Sequence, residues 1–133
     1  MKKILGICVL LGSFAFAQEP ADDVEKLLTM HGLETAMGTI EKGFLRNNVT
    51  IVKLGTENLK VNLKNIDSFL IEPSEKDKNF NAQTYAATES AAISKLADQI
   101  LTNFSEGKND EARAVFDKTL SRCLACHRII RKW

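Results

Sequence analysis

The chain has 133 residues, enough for one domain with one core. Its formal net charge of +1 falls to −1 without Lys2 and Lys3, which excludes a global footprint for nucleic acid. Hydrophobic residues make up 44% and charged residues 26%, a balance that excludes wholesale disorder.

The first segment reads as a cleavable export signal rather than as part of the fold. Lys2 and Lys3 form a basic start, Ile4 to Ala15 is an apolar run, and Ala15-Phe16-Ala17 is a small-x-small cleavage pattern. The run is shorter than the roughly 20 apolar residues a helix needs to cross a bilayer. Ile7 before Cys8 is too large for a lipoprotein site. Residues 1–17 are therefore expected to be a signal peptide, and residues 18–133 a single exported, periplasmic domain with no membrane span. Removal of Cys8 leaves two cysteines, Cys123 and Cys126, too few for a disulfide framework.

Four amphipathic segments follow. The first is expected from about Ala21 to Arg46, with Pro20 where a helix begins and Asn47-Asn48 where it ends. Met30, Leu33, Met37, Ile40 and Phe44 recur at spacings of three and four and make one apolar face. The second is expected from about Val49 to Ile71, although the β-branched run Val49 to Leu54 also fits a strand and Gly55 weakens a helix. A polar stretch around Pro73 reads as a loop. The third segment runs from about Ala82 to Glu106, with Ile93, Leu96, Ala97, Ile100, Leu101 and Phe104 as its stripe and Gly107 as its stop. The fourth runs from about Asp110 to Arg131, with Asn109 as N-cap; Phe116, Leu120, Cys123, His127 and Ile130 share one face. The pattern predicts an all-α fold, an antiparallel four-helix bundle, whose cofactor site would lie on the inward stripes.

Cys123-Leu124-Ala125-Cys126-His127 is C-x-x-C-H, the attachment pattern for a c-type haem. Residues three and four apart share a helix face, so both thiols can reach one porphyrin edge and the imidazole can reach the iron. Three other uses compete. A thioredoxin-like pair needs a strand-to-helix setting. A zinc site would combine Cys123, Cys126 and His127 with His31. A Cys123–Cys126 disulfide would be strained within a helix.

The motif's place in the last helix resembles the class II cytochromes c, the family of cytochrome c′ and its low-spin, methionine-ligated relatives. Their C-x-x-C-H-x-x-aromatic-Arg is matched by Cys123 to Arg131, with Ile130 at the aromatic position. Arg113-Ala-Val-Phe116 is similar to the family's approach to the motif. In the first helix Lys26 stands where the family often has arginine and Leu27 where it has glutamine, so Met30 falls at the haem-facing position.

The resemblance implies one covalent haem c held by Cys123, Cys126 and His127, with Met30 as sixth ligand and Arg131 near the haem. A thioether there gives a low-spin centre for electron transfer; without it, the resemblance implies a five-coordinate haem that binds nitric oxide or carbon monoxide. His31 and Met37 remain alternatives: His31 lies about 100° around the helix from Met30, and Met37 about 10 Å along it. Lys118, Arg122, Arg128, Arg131 and Lys132 put positive charge on the last helix, suited to redox partners with an acidic docking face. The family often dimerises through its first two helices, so a homodimer is among the arrangements implied. No nucleophile or acid–base pair suggests an enzyme.

Overall fold

The computed structural model describes residues 21–69 and 80–130. Among these residues the protein is all-helical, a helical bundle without strands: α1 (Ala21–Leu45), α2 (Val49–Lys64), a 3₁₀ turn (Asn65–Ser68), α3 (Ala82–Ser105) and α4 (Asn109–Ile130). The expected export signal, the loop around Pro73 and Arg131 lie outside the described residues.

Two short turns join the helices in pairs, and they are built alike. Asn47 adopts φ 46°, its N–H donating to the Phe44 carbonyl, while Asn48 N–H donates to Gly43. Gly107 adopts φ 75°, its N–H donating to Phe104, while Lys108 N–H donates to Asn103. Both are left-handed helix stops that satisfy the last carbonyls, and they fall where the asparagine pair and the glycine predict. The α4 boundary differs by one residue. Ala112 N–H donates to the Lys108 carbonyl, so Asn109 is already inside the helix and is not its N-cap.

Residues 49–54 are helical. Asn48 starts α2 by accepting the Ile51 N–H at 3.1 Å, and Val52 then goes fully inside. Gly55 belongs there because α1 and α2 cross closely: a Cβ on it would sit 2.6 Å from the Ile40 side chain. Gly43 is the counterpart on α1: a Cβ on it would sit 2.7 Å from the Val52 backbone nitrogen. The residue that lowers intrinsic helix propensity is thus the one that lets two helices touch. The second helix is shorter than the apolar spacing predicts. It ends at Lys64, tightens into the 3₁₀ turn, and gives way to a buried, extended Phe69.

The core is a single cluster. Ile40, Val52, Leu59, Ala97, Ile100 and Ala112 are 0% exposed. Phe44 stacks on Phe104 with ring centroids 5.1 Å apart and meets Phe116 edge-on at 5.5 Å. These rings draw α1, α3 and α4 together beside the two turns. Lys60 reaches Asp98 at 2.6 Å between α2 and α3, and buried Ser90 donates to the Leu63 carbonyl at 2.8 Å. No described helix is long and apolar enough to cross a membrane.

Packing is uneven along the bundle. α1 packs chiefly on α2, α4 on α3, and α2 against α3; the α1 and α4 backbones make no comparable approach. From Leu120 to Ile130 no residue of α4 is buried. The apolar face of its second half turns toward a cavity instead of toward a neighbouring helix.

Candidate functional site

A mainly apolar cavity of about 230 Å³ lies at that end. Its floor is Leu59 and Leu63 of α2 and Ile93 of α3. α1 supplies Met30, Leu33 and Met37. α4 supplies Leu120, Cys123, Leu124, Cys126 and His127. Leu120 and Leu124 are 42% and 47% exposed, so the cavity reaches the surface along α4.

Helical spacing explains the α4 wall. Positions 120, 123, 124 and 127 follow the three-and-four rhythm of one face, and Cys126 flanks it. The helix is well supported for this. Asp110 and Glu111 lie in its first turn, Arg113 pairs with Asp117 at 3.1 Å, and His127 and Arg128 lie in its last turn. The two half-buried cysteines form no disulfide. Burial, then the neighbouring Cys126, pushes the Cys123 thiol up to about 11. Burial, then Glu89, pushes the Cys126 thiol up as well. Both are therefore protonated at neutral pH.

Met30, Cys123, Cys126 and His127 all line this one cavity, Met30 from α1 and the rest from α4. Met37 lines it too, so its place further along α1 does not take it out of reach of the site. His31 is turned elsewhere: its side chain is 74% exposed, 4.0 Å from Glu34. Among the described residues no three His, Cys, Asp or Glu side chains are grouped to hold a metal ion.

Two carboxylates on the wall escape a reading by motif, Glu34 on α1 and Glu89 on α3. Glu34 is exposed, but the Glu89 side chain is only 14% exposed and pairs with Arg122 of α4 at 2.7 Å. The signal for Glu89 is its spacing. It stands four residues before Ile93 and three after Ala86, on the apolar stripe of α3. Arg122, counted from sequence among charges for a docking face, is paired with Glu89 while its side chain stays 38% exposed.

No family model, curated protein or solved structure matches the chain.

Proposed function

We propose that the chain is an exported, periplasmic monohaem cytochrome of the c type. In this reading it is an antiparallel four-helix bundle that holds one haem covalently through Cys123 and Cys126, with His127 and Met30 as axial ligands. It carries electrons between redox partners. The supporting observation is the convergence of two thiols and an imidazole from α4, and a thioether from α1, on one apolar cavity between those helices.

The residues present suit that group. The second half of α4 has an apolar face that no other helix buries, which leaves room for a flat apolar ligand. The thiols stand three apart on one helix with the imidazole next to the second. The competing uses fit less well. A zinc site needs a fourth ligand beside Cys123, Cys126 and His127, and His31 points away. A thioredoxin-like thiol needs a depressed pKa at a helix N-terminus, and here the pair sits late in α4.

When bound, haem supplies a one-electron couple at iron, whose potential a soft thioether ligand raises. The protein's own part is positioning and exclusion. Leu33, Leu59, Leu63 and Ile93 keep water from the interior wall. Met30 and His127 line the cavity from different helices, so together they would hold the iron and would keep its coordination shell full in either oxidation state. Leu120 and Leu124 leave the α4 side near the surface, where electrons can pass. Exposed Lys118 and Arg128 suit a partner with an acidic face.

Purified from an exporting host, the protein should retain its haem through acid–organic extraction. It should show a low-spin spectrum in both oxidation states and begin at Gln18 or Glu19. Haem-free protein would overturn the reading. High-spin haem that takes carbon monoxide quickly would turn it from electron transfer to gas binding.

A further inference from the structure

Glu89 is a carboxylate on the wall of an apolar cavity, with a side chain only 14% exposed. Such a charge is tolerated when a partner compensates it. Arg122 does so at 2.7 Å, reaching from α4 to α3 beside Cys123. The fields of both members are felt nearby. The Tyr85 hydroxyl is pushed up by burial and then by Glu89, and drawn down by Arg122. Glu89 also pushes up both attachment thiols.

Resting on the haem reading above, we propose that Glu89 and Arg122 are a compensated charge pair that sets the reduction potential of the bound haem. The physics is Coulombic. Adding an electron to iron is disfavoured by a nearby negative charge and favoured by a positive one. Glu89, 14% exposed on the cavity wall, is weakly screened by water, and Arg122, 38% exposed, is screened more. With the pair intact the two effects nearly cancel. Neither residue touches the iron in this account; each acts through its field. The pair also clips α3 to α4, so its purely mechanical role must be separated from its electrostatic one.

Opposite signs make that separation. The midpoint potential is measured by spectroelectrochemistry on the haem-loaded protein. Glu89→Gln leaves an unmatched guanidinium and should raise it. Arg122→Gln leaves an unmatched carboxylate and should lower it. The double variant should return close to the wild type, and Arg122→Lys, which keeps the charge, should stay near it. An unchanged visible spectrum and helical circular dichroism establish that each variant is folded and loaded. Should Glu89→Gln fail to accumulate, the split between Arg122→Gln and Arg122→Lys decides alone.

Single variants that both move the potential the same way, or not at all, would overturn the pair's role while leaving the haem reading intact. So would an Arg122→Lys potential as low as that of Arg122→Gln. A wild-type protein without covalent haem would overturn both.

Discussion

At the end of the bundle beside the two turns, Phe44, Phe104 and Phe116 pack ring to ring, and the interior is filled by the protein's own side chains. At the other end the same helices carry Met30, Cys123, Cys126 and His127 around a cavity, and the last eleven described residues of α4 bury nothing fully. The composition of the walls is apolar in both places. What differs is filling: three aromatic rings close one end, and the other keeps a cavity of about 230 Å³. A site can thus be located by where a continuous apolar stripe stops being matched by another.

The sharpest way to break this comparison is to remove the thiols at the open end. In the variant Cys123→Ala with Cys126→Ala, all haem should be released by acid–organic extraction, whereas the wild type should release none. The variant should also be markedly less stable in urea, because a tethered haem buries its apolar faces in the cavity only when the chain is folded. Equal stability of the two would show that the open end stands without a ligand.

The closed end should respond in the opposite way. Phe104 is buried between Phe44 and the core, so Phe104→Ala should cost about 3–5 kcal/mol through lost burial and the cavity left behind. The visible spectrum should not change, because the aromatic cluster lies away from the site. A smaller cost is expected at the α1–α2 crossing. Gly55→Ala would push a methyl group to within 2.6 Å of Ile40 and should cost about 1–3 kcal/mol by overpacking, read as a lower urea midpoint. A stabilised Gly55→Ala would mean that the helices can part without loss.

How far the sequence foretold this structure differs between the two ends. The helix stops at Asn47 and Gly107 were legible because left-handed backbone has few tolerant residues. The four helices were legible from their three-and-four spacing. The 3₁₀ turn after Lys64 was not, because Leu63, Ile66 and Leu70 keep helical spacing after the backbone has left the α-helix. Gly55 read as a weakness for want of its partner: only with Ile40 opposite does its missing side chain become a requirement. At the candidate site, the pentapeptide puts Cys123, Cys126 and His127 side by side in the chain, and all three line the cavity. Glu89 is distant in sequence and lies on another helix, so its bond to Arg122 becomes visible only in three dimensions.

The smallest expected effect on the fold, and the most informative one for the site, belongs to Met30. It is half-buried, so Met30→Ala should cost less than the about 2–5 kcal/mol of a fully buried methionine. Its effect on the haem should be large. If the thioether fills the sixth position, the variant should become high-spin or take a water, bind carbon monoxide quickly when reduced, and lose potential, because a ligand that favours ferrous iron is gone. Met37 lines the same cavity, so Met37→Ala is the necessary companion. It should cost packing energy and leave the spectrum low-spin. His31→Ala should leave both stability and spectrum near the wild type, since its ring is exposed on another face. The loss of low-spin character in Met37→Ala but not in Met30→Ala would move the ligand about two turns along α1. The electron-transfer reading would then stand with a different thioether. A low-spin spectrum surviving in the Met30→Ala, Met37→Ala double variant would remove both thioethers from the iron.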